Sequence, residues 1–307
     1  MPSLVENNLV KLSSSTEKLI SIVALSINGQ LCGPPIATTG HSIVYKVHSQ
    51  FHRRYVAIKI IDKNAIPANI VEKFLPRELD ITLKIRHPHL GRCLSITRPM
   101  TNKIVIISDY YERGTLLNWI LREKRLKESQ TLTTFRQIIE GLQYLHSRGI
   151  AHRDLKLENI MIDGNNDVKL IDFGFARHIQ RRERSRSFCG TQPYTSPQIS
   201  RSIPYDAFAS DYYACGVILY TMVVGKWPNK SQMPNLIFND FSPSAACRRL
   251  ILNLLEEDES CRAGYDECIN SEWMGLQPKW VFANHVFFYE AIKNDYIDCV
   301  EDIETQE

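Results

Sequence analysis

The sequence has no CxxC pair, so the commonest zinc-binding and disulfide-exchange motifs are missing. Its eight cysteines are spread along the chain: Cys32, Cys93, Cys189, Cys215, Cys247, Cys261, Cys268 and Cys299. Scattered cysteines with no secretory signal ahead of them are typical of reduced thiols. We therefore expect a cytoplasmic protein whose cysteines do not form a disulfide framework.

Long hydrophobic runs and a strong net charge are missing too. The longest apolar stretch near the N-terminus, residues 19–27, is interrupted by two serines and is far shorter than the roughly 20 residues of a membrane helix. It has neither the basic flank nor the cleavage site of a secretory signal. The net charge is +3, from 37 basic and 34 acidic residues. Because this excess is small, we expect no nucleic-acid partner and no membrane partner.

The composition does allow a substantial core. The chain has 307 residues, of which 44% are hydrophobic, and this length suggests one large domain or two closely coupled lobes. Runs rich in β-branched and aromatic residues predict strands at 43–47, 55–61 and 103–109. Two shorter strands are predicted at 160–162 and 168–170, so most strands fall in the first third of the chain.

Helical periodicity dominates the remainder of the chain. Apolar residues recur at helical spacing in residues 70–85, 116–121 and 132–146, and again from residue 207 onward. Residues 213–224 are almost wholly apolar, but a run of about twelve residues fits a buried core helix better than a membrane span. The pattern predicts a strand-rich part followed by a larger helical part.

Five short signals occur in a fixed order along the chain. They are Lys59 at the end of a strand, Glu78 nineteen residues later on an apolar-faced helix, the loop His152-Arg153-Asp154-Leu155-Lys156-Leu157-Glu158-Asn159, the triplet Asp172-Phe173-Gly174, and the pair Pro197-Gln198. Three of them have a plain structural alternative. Lys59 alone reads as a surface lysine, while Asp154 and the triplet read as turn residues. The ordered set is much more specific than any one of its members.

Phosphoryl transfer explains these residue types. A strand-borne lysine supplies a cation for a triphosphate, and a carboxylate on a facing helix holds that lysine, which are the roles of Lys59 and Glu78. Magnesium prefers hard oxygen ligands, which Asn159 and Asp172 provide. An incoming hydroxyl needs a carboxylate that orients it and accepts its proton, which is the role of Asp154.

These motifs resemble those of protein kinases over residues 29–275. Lys156, two residues after Asp154, is similar to the serine/threonine class and should neutralise charge on the transferred phosphoryl group. The resemblance implies an α+β, bilobal fold with a small β-rich N-lobe that carries one main helix and a larger helical C-lobe. The implied segments are an N-terminal extension at 1–28, an N-lobe at 29–108, a hinge at 109–112, a C-lobe at 113–275 and a C-terminal tail at 276–307.

Longer strings narrow the resemblance to the calcium/calmodulin-kinase-like branch, and within it to the testis-specific serine/threonine kinases. The strings are Phe74-Leu75-Pro76-Arg77-Glu78-Leu79, Ile171-Asp172-Phe173-Gly174-Phe175, Ser187-Phe188-Cys189-Gly190 and Gly216-Val217-Ile218-Leu219-Tyr220. This resemblance implies a role in sperm development, which nothing in the chemistry of the chain itself indicates.

The kinase resemblance also implies the ligands and the residues that hold them. ATP and Mg²⁺ are the expected cofactors, and proteins with serine or threonine hydroxyls are the expected substrates. Asn159 and Asp172 are the expected metal ligands. The expected catalytic residues are Asp154, Lys156, Asn159, Lys59, Glu78 and Thr191. The expected nucleotide-binding residues are Ala37, Thr39, Gly40, Ser42, Val44, Ala57, Lys59, Ser108, Asp109, Tyr111, Glu158 and Asp172.

Four further positions have roles in the resemblance. Thr191 matches a residue that hydrogen-bonds the catalytic aspartate and lysine, with a turn residue as the alternative. Asp211 matches a buried aspartate that anchors the catalytic loop, although a plain helix cap would also explain it. Ser185 and Ser187 are candidates for phosphorylation, by an upstream kinase or by the chain itself, because phosphate there would pair with Arg153. The alternative is a solvated arginine-serine loop.

The sequence departs from the kinase pattern at two places. The three glycine positions of the phosphate-covering loop fall on Ala37, Thr39 and Ser42, and Gly40 is out of phase with them. Glycine normally lets the backbone approach phosphates closely, so we expect weaker nucleotide binding or slower transfer. Gln198 replaces a glutamate that pairs with an arginine. Two hypotheses follow: an active serine/threonine kinase, or a pseudokinase that acts as a scaffold or allosteric partner.

Overall fold

The computed structural model describes residues 16–73, 75–180, 182–229, 236–238 and 243–276. The described part folds into a sheet-rich N-lobe and a helical C-lobe, which confirms the predicted α+β bilobal fold. The N-lobe elements are α1 (16–26), β1 (Gly29–Leu31), β2 (Ala37–Thr38), β3 (Ser42–Ser49), β4 (Arg54–Asp62), a 3₁₀ turn (Lys63–Ala65), α2 (Ala68–Lys73), α3 (Leu75–Lys84), β5 (Cys93–Met100) and β6 (Lys103–Asp109).

The N-lobe strands form one antiparallel sheet in the order β1-β3-β4-β6-β5, and β2 pairs with the free end of β3. In this register Val44 lies opposite Lys59, and Ala57 lies opposite Ser108. Side chains alternate between the two faces of a strand. The register therefore brings Val44, Ala57 and Lys59 to the face that looks toward the C-lobe.

Helices cover both faces of this sheet. On the outer face, Leu19, Ile20 and Val23 of α1 are buried against apolar strand residues. Those strand residues are Tyr45, Val47, Val56, Ile58, Ile60, Val105 and Ile107. On the inner face, Leu75 and Leu79 of α3 pack with a second apolar cluster. The N-lobe is thus a three-layer stack in which α1 closes a face of the sheet that would otherwise expose apolar side chains to water.

The predicted boundary at residue 29 falls between α1 and β1. The described part of the N-terminal extension nevertheless shares the apolar core of the N-lobe. Its residues 1–15 lie outside the described part, as does the predicted tail beyond residue 276. The single helix predicted over 70–85 is described as α2 and α3 on either side of residue 74.

The C-lobe is built around two long helices, α5 and α7. Its elements are α4 (Leu116–Glu123), α5 (Glu128–Ser147), β7 (Ile150–Ala151), a 3₁₀ turn (Leu157–Asn159), β8 (Ile160–Ile162), β9 (Val168–Leu170), β10 (Arg177–His178), α6 (Pro197–Ser200), α7 (Ala207–Val224), α8 (Ala245–Leu254), α9 (Tyr265–Ile269) and a 3₁₀ turn (Met274–Leu276). Two small antiparallel pairs form, β8 with β9 and β7 with β10. The segments 152–159 and 171–176 connect strands of these pairs.

The helix α7 is the centre of the C-lobe core. By length and composition it could cross a membrane, but 83% of it is buried inside the fold, as the sequence predicts for a core helix. A Cβ atom at Gly216 would lie 2.8 Å from the Cβ of Leu254, so only glycine allows α7 and α8 to pack this closely. The position of α7 is therefore fixed by tight packing on several sides.

The burial of α1 predicts a large difference between two neighbouring isoleucines. Ile20 is 2% exposed and Ile22 is 64% exposed. We expect Ile20→Ala to lower the free energy of unfolding by about 3 kcal/mol, because it leaves a cavity between α1 and the sheet. Ile22→Ala, which makes the same change in helix propensity, should cost less than about 0.5 kcal/mol. Urea denaturation of both variants checks this, and equal losses would show that α1 does not pack on the sheet.

Candidate active site

A cavity of about 520 Å³ lies between the N-lobe sheet and the C-lobe loops. All of the predicted nucleotide-binding residues except Gly40 line it: Ala37, Thr39, Ser42, Val44, Ala57, Lys59, Ser108, Asp109, Tyr111, Glu158 and Asp172. Its volume is within the range of small-molecule sites, which is about 300–1,000 Å³. Residues from both lobes, carried on several strands and loops, thus converge on one cavity.

The back of the cavity is set by the end of β6. Ser108 is small and lies opposite Ala57, whose carbonyl oxygen is 3.5 Å from the Ser108 hydroxyl. The next residue, Asp109, is held in place by Arg54 at 3.1 Å. Tyr111 is 8% exposed, and its hydroxyl accepts a hydrogen bond from the Arg92 amide at 3.0 Å. The predicted hinge is therefore fixed by contacts of Asp109 and Tyr111 with neighbouring residues.

Lys59 and Glu78 face each other from β4 and α3. The lysine Nζ is 4.0 Å from the Glu78 Oε1, which is an ion pair at the outer limit of the usual distance. Burial raises the pKa of Glu78, and the positive charge of Lys59 opposes this rise. The pair places a cation at the wall of the cavity, close enough to Asp172 to influence its ionisation as well.

Asp154 lies at the floor of the site and is 6% exposed. Its Oδ1 accepts a hydrogen bond from the Thr191 hydroxyl at 2.7 Å, and its Oδ2 accepts one from the Lys156 Nζ at 2.6 Å. The same lysine donates to the Thr191 hydroxyl at 3.0 Å. The structure therefore brings the three predicted residues into one closed network, and Thr191 does more than occupy a turn.

Asn159 joins this network through its amide nitrogen. Its Nδ2 donates to the backbone carbonyl of Asp154 at 2.9 Å and to the Asp154 Oδ2 at 3.2 Å. Because the nitrogen is used in this way, the amide oxygen of Asn159 is the atom available to a hard cation. The backbone carbonyl of Asn159 also accepts the Ile171 amide at 2.9 Å, which ties the catalytic loop to the strand end before Asp172.

Asp172 is the second carboxylate at the site. Burial alone would raise its pKa, but the Lys59 charge and the Gly174 amide, which donates to its Oδ1 at 3.2 Å, outweigh burial and lower the pKa. Asp172 is therefore ionised at neutral pH, as a ligand for a divalent cation must be. The neighbouring Phe173 is 3% exposed, with its ring 5.4 Å from the His152 ring.

The catalytic loop is anchored from below by Asp211 of α7. The Asp211 carboxylate accepts the backbone amides of His152 and Arg153, both at 2.8 Å. It also contacts the His146 ring at 2.9 Å. The cap of α7 is a different residue, Asp206, so Asp211 is the buried anchor and not the helix cap.

Arg153 connects the catalytic loop to the segment after Gly174. Its Nε donates to the Phe175 carbonyl at 2.7 Å, and its Nη1 is 3.5 Å from the Ser185 hydroxyl. Ser185 is fully buried and pairs through its backbone with Tyr205, at 2.8 and 3.1 Å. Ser187 is half-buried, and its carbonyl accepts from the Tyr205 hydroxyl at 2.9 Å. The two candidate serines therefore differ in accessibility.

Gln198 occupies a buried position beside Arg262. Its Oε1 accepts from the Arg262 Nη2 at 3.1 Å, and its Nε2 donates to the Glu257 carbonyl at 2.7 Å. A glutamate could make the first bond but not the second, because a carboxylate has no proton to donate. Both the oxygen and the nitrogen of the Gln198 amide are thus hydrogen-bonded. Glutamine at this position therefore makes one hydrogen bond that the glutamate of the kinase pattern could not make.

Tyr194 is a site residue that the motif comparison misses. It is 4% exposed, and its hydroxyl donates to Glu158 at 3.2 Å while accepting from the Trp227 indole at 3.2 Å and the Leu157 amide at 3.4 Å. The hydroxyl thereby joins the catalytic loop to the segment after α7. No sequence periodicity points to this role, because its partners lie about 35 residues away on either side.

Comparison with known proteins agrees with this geometry. Residues 38–274 match the family model described as the protein kinase domain. The chain belongs to the protein kinase family. The kinase is 34% identical to testis-specific serine/threonine-protein kinase 3 of Homo sapiens, over 80% of this chain and 96% of that protein.

Two other relatives give the same result. Testis-specific serine/threonine-protein kinase 1 of Mus musculus is 31% identical over 83% of this chain and 74% of its own length. NUAK family SNF1-like kinase 1 of Homo sapiens is 36% identical over 81% of this chain but only 38% of its own length. The predicted resemblance to serine/threonine kinases, and to the testis-specific ones among them, is confirmed.

The double hydrogen bonding of Gln198 predicts how the kinase responds to substitution there. We expect Gln198→Ala to lower the free energy of unfolding by about 2 kcal/mol, because it removes two buried hydrogen bonds, one to the Arg262 Nη2 and one to the Glu257 carbonyl. Gln198→Glu should bring no gain, since the new oxygen would face that carbonyl oxygen. Thermal unfolding of both variants at neutral pH checks this, and a clear stabilisation by glutamate would contradict the hydrogen-bond assignment.

Proposed function

We propose that this kinase transfers the γ-phosphoryl group of ATP, with Mg²⁺, to serine or threonine hydroxyls of protein substrates. The observation that carries the proposal is the closed network of Asp154, Lys156, Thr191 and Asn159. Asn159 links this network to Ile171, which lines the cavity. Lys59, Glu78 and Asp172 line the cavity, and Asp154 and Asn159 belong to the network, so a side chain suited to each of the five roles of phosphoryl transfer is present. The names of the relatives support the serine/threonine preference.

The residues present suit ATP and Mg²⁺. The lowered pKa of Asp172 keeps a negative charge for the metal, and the amide oxygen of Asn159 offers a second hard ligand. Lys59, held by Glu78, is placed to contact the phosphates. The metal would neutralise charge on the phosphates.

The protein groups would then act on the acceptor hydroxyl. Asp154 is held by three donors that fix its carboxylate without protonating it. A positioned carboxylate orients the hydroxyl and takes its proton as the new bond forms. Lys156, which contacts Asp154 and Thr191, would balance the negative charge that develops on the transferred group.

The proposal also covers the cell compartment, the biological role and the partners of the kinase. The seven cysteines in the described ranges are all free thiols, which supports a reducing compartment such as the cytoplasm. Relatives with testis-specific names support a role in sperm development. We infer no nucleic-acid or membrane partner, in keeping with the small net charge.

The decisive experiment compares Asp154→Asn with the wild type. With Mg-ATP and a generic basic protein substrate, we expect phosphate incorporation to fall at least about 100-fold, because the proton acceptor is lost. Asp80→Asn is the matched control, since Asp80 lies on α3 and pairs only with Lys84 at the surface. It should leave the rate unchanged.

The alternative function is a pseudokinase that acts as a scaffold or allosteric partner. It is motivated by the replacement of the three glycines of the phosphate-covering loop. Wild-type incorporation no higher than that of Asp154→Asn would overturn the catalytic proposal in its favour. Melting curves with and without Mg-ATP then separate two cases, because a ligand that binds the folded state raises the melting temperature. A shift without activity would indicate a nucleotide-binding pseudokinase.

We further propose that Ser187, and not Ser185, is the residue phosphorylated by an upstream kinase or by the chain itself. Ser185 is fully buried in its pairing with Tyr205, whereas Ser187 is partly exposed. Phosphate on Ser187 would add about two negative charges beside the exposed Arg186. The Ser187 amide is 3.4 Å from the Ser185 hydroxyl, which Arg153 contacts at 3.5 Å from the catalytic loop.

Mass spectrometry after incubation with Mg-ATP, or with a cell lysate as kinase source, should find phosphate on Ser187. Ser187→Ala should then reduce activity about tenfold, since charge-assisted contacts that order the segment are lost. Ser185→Ala is the neighbouring control for site assignment. Phosphate found on Ser185 alone, or full activity of Ser187→Ala, would contradict the assignment.

A further inference from the structure

The turn that joins β2 to β3 closes on a single hydroxyl group. The Thr39 Oγ1 accepts the backbone amide of Ser42 at 3.0 Å and that of His41 at 3.4 Å. It also lies 2.9 Å from the Ser42 hydroxyl, and the Thr39 amide donates to the Ser42 carbonyl at 2.8 Å. Side chain and backbone together lock the turn in one conformation.

The conformation of the β2–β3 turn does not depend on Gly40. A Cβ atom added at Gly40 would meet nothing within 4 Å, and Gly40 is not among the residues with positive φ. The turn is held by Thr39 and by the neighbouring strand, because the Asp62 amide donates to the His41 carbonyl at 2.9 Å. Its shape therefore depends on a hydroxyl group where a glycine-rich loop would have no side chain at all.

This turn covers the part of the cavity that carries charge. Thr39 and Ser42 line the cavity together with Lys59 and Asp172. His41 is near enough to both charged groups that they influence its pKa, which burial lowers first of all. Successive backbone amides in such a loop bind phosphate oxygens. In this chain the amides of His41 and Ser42 already donate to the Thr39 Oγ1.

We propose that the Thr39 hydroxyl occupies the place of a phosphate oxygen, so that nucleotide phosphates must displace it from the amides of His41 and Ser42. Thr39 is then an internal competitor that weakens the binding of phosphorylated ligands and leaves the adenosine part unaffected. The inference rests on the proposed function, because it assumes that the cavity binds a nucleotide. It attributes the weaker nucleotide binding expected from the altered loop to one atom, the Thr39 Oγ1.

Removal of the hydroxyl should therefore tighten nucleotide binding. Thr39→Val keeps the branched shape and removes the acceptor, while Thr39→Ala removes it with less volume. We expect both to lower the dissociation constant of Mg-ATP and Mg-ADP about tenfold, because the freed amides can donate to charged oxygens. The dissociation constant of adenosine should stay the same. Isothermal titration calorimetry of the full chain measures all three ligands.

Two controls separate the hydroxyl from general effects on the loop. Thr39→Ser retains the acceptor and should bind every ligand like the wild type. Thr38→Ala changes the adjacent exposed threonine of β2, which does not line the cavity, and should also match the wild type. Thr39 is itself exposed, so the melting temperatures without ligand should agree among the variants.

The possible outcomes are distinct. Unchanged ATP affinity in both Thr39→Val and Thr39→Ala, beside measurable binding by the wild type, would overturn the inference and leave the proposed function standing. Equal tightening for ATP and adenosine would also overturn it, since the effect would not concern phosphates. Absence of ATP binding in the wild type and in every variant would overturn nucleotide binding itself, and the inference with it.

Discussion

The buried carboxylate of Asp211 is the interaction on which the active site depends. It accepts the two successive amides of His152 and Arg153. Arg153 has a φ of 65°, a left-handed conformation that costs a non-glycine residue about 1 kcal/mol or more. The two hydrogen bonds stabilise this conformation, and Asp154 follows directly. The direction of the Asp154 carboxylate is therefore set by a residue of the core helix α7.

The packing of α7 explains why this anchor is reliable. The helix is almost wholly buried, and its contact with α8 is so close at Gly216 that no side chain fits there. Close-packed interiors allow little displacement, so Asp211 is held nearly as rigidly as the core. From it the constraint passes to Asp154 through the backbone and to Asn159 and Thr191 through hydrogen bonds. The apolar core therefore fixes the positions of these site residues.

Most of the fold and much of the site could be predicted from the sequence, because the information is local. Strands at 103–109, 160–162 and 168–170 have the predicted bounds, and the short motifs identify Lys59, Glu78 and Asp172, which line one cavity. The position of α1 could not be predicted, although the spacing of its apolar residues suits a helix. The spacing does not indicate which surface the helix covers. The role of Tyr194 was missed for the same reason, since its contacts join distant segments.

The two departures from the kinase pattern differ in their physical setting. Gln198 is buried, where an unmatched polar atom is costly, and its amide is satisfied at both ends. Thr39 is exposed at the tip of a turn, where its hydrogen bonds compete with water and contribute little to folding. Substitutions at such a turn are therefore free to change ligand affinity without threatening the fold. On the proposed function, the chemistry of transfer would therefore be constrained by the C-lobe core, whereas the affinity for phosphate would be adjusted in the β2–β3 turn, independently of Asp154.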